Sequence, residues 1–202
     1  ISIPPKNQTD IVLKVFDVIF KKNKFNWLTY LSATSVYGDK KGEWVDEETN
    51  LEPTSDRGIA RLNAESNWLK YYKDFNLPVQ IFRLSGIYSI ENNVIERLKG
   101  GSLKIVEKDN HFFSRIHVED IAKILTLSLM KFVPGQIFNI SDNYPCSNEE
   151  ISRYAANLMK MNIPEKIKLN DIESAMLKDF YKDSKKVSNK KMRNFFGHDL
   201  KY

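Results

Sequence analysis

The stretch LPVQIFRLS, residues Leu77–Ser85, is a nearly continuous apolar run and decides the fold class. A strand that is apolar on both faces is typical of a parallel sheet covered by helices on both sides. Immediately upstream, Thr54 or Ser55 is placed to cap a helix that we expect to pack against this strand. The residues that recur on one face of the predicted helix are Ala64, Trp68, Tyr71 and Phe75.

The same alternation extends in both directions along the chain. Asn26–Ser32 (NWLTYLS) is a β-rich run, and it follows a helix predicted from Asp10 onward, whose apolar face comprises Val12, Val15, Phe16, Ile19 and Phe20. Beyond an irregular loop predicted at Gly42–Pro53 and the central strand, the sequence predicts helices over Asn92–Lys99, Val118–Met130, Ser147–Met159, Ile172–Tyr181 and Lys190–Phe196. Further strands are predicted over Leu103–Val106, Phe112–Ile116 and Gln136–Ile140. This alternation indicates an α/β protein with a doubly wound parallel sheet.

Composition narrows the class of protein. The chain has 202 residues, one cysteine and a formal net charge of +5, as is typical of one globular domain. A lone Cys146 cannot form an internal disulfide, so we expect a cytoplasmic protein. The apolar stretch Ile11–Phe20 is too short to cross a bilayer, and we expect no membrane partner and no secretory signal. The lysines are scattered among acidic residues, which argues against nucleic acid as a partner.

Three motifs carry a family resemblance: YLSATSVYGD (Tyr30–Asp39), RLSGIY (Arg83–Tyr88) and RIHVEDIA (Arg115–Ala122). In this order and spacing they resemble the extended short-chain dehydrogenase/reductase superfamily, in its NAD-dependent epimerase/dehydratase branch. WVDE (Trp44–Glu47) and FNISDN (Phe138–Asn143) are similar to an atypical subgroup described as nucleoside-diphosphate-sugar epimerases. The resemblance implies a partial Rossmann-type sheet with a small C-terminal α+β lobe on the substrate side.

The resemblance also implies a single domain with a missing beginning. We expect residues 1–90 and about 112–142 to form the Rossmann part, and residues 91–111 and 143–202 the substrate-side lobe. The Gly-rich turn that holds a pyrophosphate in such a sheet does not occur in this sequence. Ile1–Ile3 then corresponds to the fourth strand, and roughly the first 80 to 90 residues of a family member are missing. We therefore expect a truncated family member that binds its cofactor, NAD or NADP, weakly or not at all by itself.

The usual catalytic residues of the family are a Ser or Thr after the fifth strand and a Tyr-x-x-x-Lys on the next helix. The resemblance places Ala33, Arg57 and Arg61 at these positions, so all three depart from the pattern. A guanidinium stays protonated up to about pH 12, so it cannot exchange a proton at neutral pH. Arg57 and Arg61 share a helix face that suits a phosphate, a ribose or a carboxylate; the alternative is a solvated or salt-bridged helix start with Glu65.

Hydroxyl side chains cluster after the Asn26–Ser32 strand, and ligands of open α/β sheets bind at the carboxyl ends of strands. The alternative is that each hydroxyl only stabilises a turn. We assign Tyr37 of this cluster to the substrate. The catalytic candidates are Ser32, Thr34, Ser35, Arg57 and Arg61.

The resemblance implies further contacts with ligands. Arg115 and His117 are expected at the substrate, or alternatively at the start of the next helix, with an acid of the VED segment fixing the His117 tautomer. His111 and His198 fall in predicted loops and carry no functional signal. No spacing of His, Asp and Glu predicts a metal site. The residues expected to face the nicotinamide half of the cofactor are Ser2, Ile3, Pro4, Pro5, Leu31, Ser32, Ala33, Arg57, Arg61, Ser85, Gly86, Ile87 and Tyr88.

Two functions are compatible with these features. In the first, the chain is the C-terminal portion of an NAD(P)-dependent epimerase, dehydratase or reductase acting on a nucleotide sugar or a related small molecule. In the second, it is a catalytically inactive binding or scaffold protein. An open sheet edge at Ile1–Ile3 favours association, so we expect a separately encoded N-terminal half or a second copy as a partner.

Overall fold

The computed structural model describes residues 1–197 and 199–202, so the loop predicted for His198 lies outside the described residues. The α-helices are α1 (Ile11–Lys22), α2 (Asp56–Phe75), α3 (Val94–Lys99), α4 (Val118–Met130), α5 (Asn148–Met159), α6 (Ala175–Phe180) and α7 (Lys190–Phe196). The strands are β1 (Leu28–Ala33), β2 (Trp44–Val45), β3 (Val79–Leu84), β4 (Gly86–Tyr88), β5 (Ile105–Glu107), β6 (Arg115–His117), β7 (Ile137–Ile140), β8 (Lys166–Lys168) and β9 (Lys186–Val187). Tight helical turns lie at Thr34–Tyr37 and Leu169–Asp171.

The central sheet is parallel and has the order β1, β3, β7. Tyr30 of β1 pairs with Ile81 of β3, and Phe82 of β3 pairs with Phe138 of β7. The two apolar runs of the sequence therefore lie side by side in one parallel layer. The predicted α/β class with a parallel sheet is confirmed.

The N-terminal residue extends this sheet beyond β1. The Ile1 amino group donates to the Thr29 carbonyl at 2.6 Å, and the Leu31 amide donates to the Ile1 carbonyl at 2.9 Å. Both bonds are those of a parallel neighbour of β1, the position predicted for Ile1–Ile3, although these residues do not form a regular strand. Pro4 and Pro5 cannot continue the pairing, because proline has no amide proton to donate.

Helices cover both faces of the sheet. Side chains alternate between the faces along each strand. Tyr30 and Ile81 point to the side of α1 and α2, in a core around Trp68. Phe82 and Phe138 point to the other side and pack against α4 and α7. Covering both faces buries β3 at every position, as its apolar sequence predicts.

The helix α1 buries less apolar surface than its sequence predicts. Val12 and Phe20 lie in the core, but Val15, Phe16 and Ile19 are exposed, so the predicted single buried face is wrong. Apolar residues occupy most of the circumference of this helix, and one neighbouring sheet can cover only a stripe of it. An exposed apolar surface remains on α1.

The helix α2 begins at its predicted cap. The Ser55 hydroxyl accepts a hydrogen bond from the Gly58 amide at 3.1 Å, so Ser55 and not Thr54 is the cap. Gly58 lets α2 approach the turn after β1, because a Cβ there would lie 2.7 Å from the Ser35 carbonyl oxygen. The predicted buried face fails at its last residue, Phe75, which is 42% exposed beyond the end of the sheet.

Short parallel pairs surround the central sheet. They are β4 with β6, β5 with β8, and β2 with β9. The sequence predicts β5 and β6 one to three residues early, and it does not predict β2, β4, β8 or β9, because strands of two or three residues have no readable period. β2 lies inside the predicted irregular loop. The helix predicted at Ile172–Tyr181 is shorter, Ala175–Phe180. None of the described helices has the length and apolar character needed to span a membrane.

Candidate functional site

The carboxyl ends of β1, β3 and β7 meet at one edge of the sheet, where open α/β sheets bind ligands. β1 runs into the turn Thr34–Tyr37, and β3 runs through Ser85 into β4. Gly38 ends the turn with φ +69°, and a Cβ there would lie 1.8 Å from the Glu52 carbonyl oxygen. Only glycine fits this position, which fixes how the chain leaves the edge.

Two predicted cofactor residues at this edge carry hydroxyls without a partner. Ser32 and Ser85 are buried, and neither side-chain oxygen has a hydrogen-bond partner among the described residues. Ser32 lies in β1 in register with Arg83 of β3, and Ser85 directly follows the last residue of β3. A buried hydroxyl left unbonded is unfavourable and is rare in folded proteins. A polar group of a ligand would satisfy it.

The other predicted residues of the edge differ in burial. Thr34 and Ser35 are half-buried in the turn, and Gly86 and Ile87 are exposed. Tyr88 is half-buried. Of the N-terminal residues predicted at the cofactor, Ser2, Ile3 and Pro4 are exposed and Pro5 is half-buried.

The two arginines predicted at the catalytic positions have different surroundings. Arg61 is half-buried, and its Nη1 donates to the Leu31 carbonyl at 2.7 Å and to the Tyr30 hydroxyl at 3.2 Å. Arg57, one helical turn earlier, is exposed. The proposed pairing of Arg61 with Glu65 is wrong, because the Glu65 side chain points into the sheet. Arg61 therefore contacts the carboxyl half of β1 directly.

A buried ion pair that the sequence analysis missed joins α2 to β3. Arg83 Nη2 donates to Glu65 Oε2 at 2.8 Å and Nε donates to both carboxylate oxygens, with each side chain only 2% exposed. Arg83 Nη1 donates to the Tyr37 hydroxyl at 3.0 Å, which donates to Asn139 Oδ1 at 2.7 Å. The sequence feature that could have indicated this pair is an arginine within an apolar strand, because a buried charge requires a partner.

This network determines what Tyr37 and Tyr30 can do. Burial raises the pKa of Tyr37 to about 12 even beside Arg83, and burial raises the pKa of Tyr30 to about 12 even beside Arg61. Neither phenol ionises at neutral pH. Tyr37, predicted at the substrate, is fully buried, and its hydroxyl is bonded on both sides.

His117 lies at the junction of β6 and α4 and caps that helix. Its Nδ1 accepts from the Glu119 amide at 3.3 Å. The Tyr202 ring lies 3.8 Å from the His117 ring, and the Tyr88 ring meets it edge-on at 5.0 Å. The Tyr202 amide donates to Asp120 at 3.2 Å. The C-terminal residue thus covers His117, a contact that no local sequence pattern indicates.

Arg115 is half-buried at the start of β6. Its Nη1 donates to the Phe113 carbonyl at 3.3 Å and to Cys146 Sγ at 3.1 Å. The Arg115 carbonyl accepts from the Asp142 amide at 2.6 Å, and burial raises the pKa of the Asp142 carboxyl. No group of three or more His, Cys, Asp or Glu residues in the described part of the chain is arranged to hold a metal ion.

Comparison with known proteins relates this arrangement to a family. The model of the NAD dependent epimerase/dehydratase family matches residues 6–141. A dTDP-D-glucose 4,6-dehydratase of Dictyostelium discoideum is 24% identical over 159 residues, which cover 68% of this chain and 36% of that protein. The curated relatives match over at most 40% of their own length.

Solved structures show the same fold. A functionally unknown conserved protein from Silicibacter pomeroyi DSS superposes with a TM-score of 0.91 at 37% identity, over 99% of this chain and 71% of that chain. UDP-glucuronic acid 4-epimerase from Bacillus cereus, in complex with NAD, superposes with a TM-score of 0.77 at 19% identity, over 95% of this chain and 62% of that chain. The central sheet and its flanking helices are therefore shared with these proteins.

Proposed function

The chain belongs to the NAD dependent epimerase/dehydratase family, and from this premise we propose that it binds the nicotinamide half of NAD(P) and a nucleotide sugar or similar small molecule. The ligands would lie at the carboxyl edge of the sheet. Structural relatives such as the Bacillus cereus epimerase are described with NAD bound, which supports the cofactor class.

The observation that carries this proposal is the pair of buried, unpartnered hydroxyls on Ser32 and Ser85. Both lie where β1 and β3 end, beside the residues expected at the nicotinamide. They fit a polar group of that half of the cofactor. The sequence contains no Gly-rich turn for the pyrophosphate, so the residues present fit only part of the dinucleotide. When bound, NAD(P) supplies hydride transfer.

The residues of this chain would orient ligands more readily than they would move protons. Arg61 is held at β1 by the Leu31 carbonyl and presents a fixed positive charge at the edge. Thr34 and Ser35 offer half-buried hydroxyls. Arg57, in place of the usual tyrosine, cannot act as a general acid or base at neutral pH.

The test is thermal stabilisation by NADPH and NADH, compared between the wild-type chain and single variants. Ser85→Ala and Ser32→Ala should reduce the ligand-induced rise in Tm without lowering the Tm of the free protein, because neither hydroxyl has a bond to lose. Ser66→Ala is the matched control, since that exposed hydroxyl bonds only to the Leu62 carbonyl of its own helix. No stabilisation by either cofactor, with or without an added N-terminal half, would contradict the proposal.

A catalytically inactive binding protein is the second candidate. It is favoured by the raised pKa values of Tyr30 and Tyr37 and by arginines at the positions of the usual proton-transfer side chains. Chromatography of the nucleotide sugar after incubation of the chain with NAD⁺ and UDP-glucose distinguishes the two, because an epimerase or a dehydratase returns the hydride to the sugar and leaves no net change in cofactor. Binding without any new nucleotide sugar supports the inactive protein, and a new nucleotide sugar above background supports the enzyme.

We also retain the proposal of a protein partner, either a separately encoded N-terminal half or a second copy. It is supported by the exposed Val15, Phe16 and Ile19 on α1, since clustered apolar surface favours association. Light scattering after size-exclusion chromatography measures the state directly. A stable, monodisperse monomer that binds no such half would contradict this proposal.

A further inference from the structure

A cavity of about 560 Å³ is bordered by the short strand β2 and the helix α7. Its lining includes Trp44 of β2, Asn143 after β7, and Lys190, Arg193 and Asn194 of α7. None of the residues predicted at the nicotinamide or at the substrate lines this cavity. Its volume lies in the range of small-molecule sites, so it is large enough for a ligand of its own.

Trp44 contributes a large apolar surface to the cavity. The residue is 56% exposed, although Val45, the next residue, is buried and β2 is paired with β9. Strand pairing holds the backbone at Trp44, so little conformational entropy remains to be lost when a ligand packs on the indole. The indole N–H has no hydrogen-bond partner among the described residues.

Asn189 brings a buried but unpartnered acceptor to the same cavity. The residue is only 4% exposed, and its Nδ2 donates to the Ser141 carbonyl at 2.7 Å, which fixes the orientation of the amide. An asparagine at the cap of a helix usually accepts from a backbone amide of that helix, but Asn189 makes no such bond to α7. Its Oδ1 accepts no hydrogen bond from the described residues. A hydroxyl of a ligand would satisfy this acceptor.

The other polar groups of the cavity are also available to a ligand. The side-chain amides of Asn143 and Asn194 form no hydrogen bond within the described part of the chain, and each can both donate and accept. Arg193 pairs with Asp199 at 3.1 Å, whereas the Lys190 ammonium has no acid partner among the described residues. The cavity therefore carries one positive charge that no acid of its lining balances.

We propose that this cavity binds an acidic saccharide, a sugar ring that carries a carboxylate. The C–H groups on one face of a pyranose pack against an indole ring, and the sugar hydroxyls donate to and accept from side-chain amides. The carboxylate pairs with Lys190. A wholly apolar ligand would leave the amides of the lining without partners, and an inorganic anion would leave the Trp44 surface unused. The site is separate from the ligands proposed at the sheet edge and does not rest on them.

The experiment is a titration of the isotopically labelled chain with methyl glucuronide at constant ionic strength, followed by NMR of the tryptophan indole N–H groups. The Trp44 signal, identified by its loss in Trp44→Phe, should shift and reach saturation. The signals of Trp27 and Trp68 should stay in place, because these groups donate to Ser128 and Asp10 within the fold. A Trp44 signal that does not saturate, or equal shifts of all the indole signals, would overturn the site.

A neutral sugar tests the role of the carboxylate. Methyl glucoside should bind at least about threefold more weakly than methyl glucuronide, because it forms no ion pair with Lys190. Equal dissociation constants for the two glycosides would overturn the assignment of an acidic ligand.

Variants of the lining separate binding from a structural role. Lys190→Gln and Asn194→Ala should each raise the dissociation constant of methyl glucuronide about threefold or more, measured by the same Trp44 signal. Lys123→Gln on α4 is the matched control, since this exposed lysine also has no ion-pair partner and lies outside the cavity lining. The Tm of each free variant should equal that of the wild type, because neither side chain has a bond to lose. A lower Tm, or equal weakening by Lys123→Gln, would contradict the proposal.

Discussion

The interior of the sheet and its carboxyl edge differ in how completely their buried polar side chains are hydrogen-bonded. Arg83, within β3, has Glu65 and the Tyr37 hydroxyl as partners and is almost completely buried. Ser32 and Ser85, where β1 and β3 end, are buried as well, but neither hydroxyl has a hydrogen-bond partner among the described residues. A buried charge that has its ion-pair and hydrogen-bond partners stabilises the fold. Buried polar groups without such partners, gathered at one edge, indicate a place for a ligand.

The largest effect on stability is expected when the ion-pair partner of Arg83 is removed. Glu65→Ala should lower the free energy of unfolding by about 3–5 kcal/mol, because a buried guanidinium is left without its counter-ion. Denaturation in urea measures the change. The double variant Glu65→Leu/Arg83→Met should be less destabilised than the single variant. A loss below about 1 kcal/mol for Glu65→Ala would show that the pair does not hold α2 to the sheet.

The next largest effect is expected at His111, which is 3% exposed and stacks on Tyr181. Burial, with the nearby charge of Lys108, lowers its pKa from 6.5 to about 4. The unfolded chain therefore binds a proton more readily, so this group destabilises the fold as pH falls from about 6.5 to 4, by up to about 3 kcal/mol. The loss is absent above pH 6.5. His111→Phe should abolish this part of the pH dependence of unfolding, and an unchanged profile would contradict the assignment.

A smaller loss of stability is expected when the hydroxyl at the centre of the buried network is removed. Tyr37→Phe removes the hydroxyl that joins Arg83 to Asn139 and should cost about 1–2 kcal/mol, since two buried polar groups lose a partner. Tyr144→Phe is the control, because that exposed hydroxyl bonds only to Glu150 at the surface. Equal decreases in Tm for the two substitutions would contradict a stabilising role for the network.

The smallest effect should come from a surface pair. Lys70 and Asp74 lie one turn apart on α2 and are both solvent-exposed in their side chains. Lys70→Gln should cost about 0.3–0.5 kcal/mol at low salt, and the difference should vanish near 1 M NaCl, where charges are screened. A larger loss of stability that does not depend on salt would contradict the expectation that exposed ion pairs contribute little to the stability of this protein.

Helices and strands were predictable where the periodic pattern of apolar residues was long and where capping or turn residues marked its ends. The helix at Val118–Met130 was predicted at both ends, and the helix predicted from Ser147 to Met159 is α5, with Ser147 as its cap. Prediction failed where the outcome depended on distant residues. β2 pairs with β9 across most of the chain, and too few residues take part for either strand to be recognised.

The candidate site was predictable in part. The family motifs placed Ser32 and Ser85 at the edge of the sheet, and the structure adds that both hydroxyls are buried and unpartnered. The resemblance aligned Arg61 with the usual lysine of the family, and the structure adds its contact with the Leu31 carbonyl of β1. The bonds of Arg83 to Glu65 and Tyr37 were not predicted, because the local sequence of β3 does not indicate which distant residues face it.

The amino-acid sequence by itself determined the alternation of helices and strands, the doubly covered sheet and the family, because these follow from local periodicity and short motifs. Only the tertiary structure decided the partners of the charged and aromatic groups: Glu65 with Arg83, and Tyr202 with His117. The physical reason is that charge pairing and burial depend on distances between residues far apart in the chain, which folding sets and local pattern does not record.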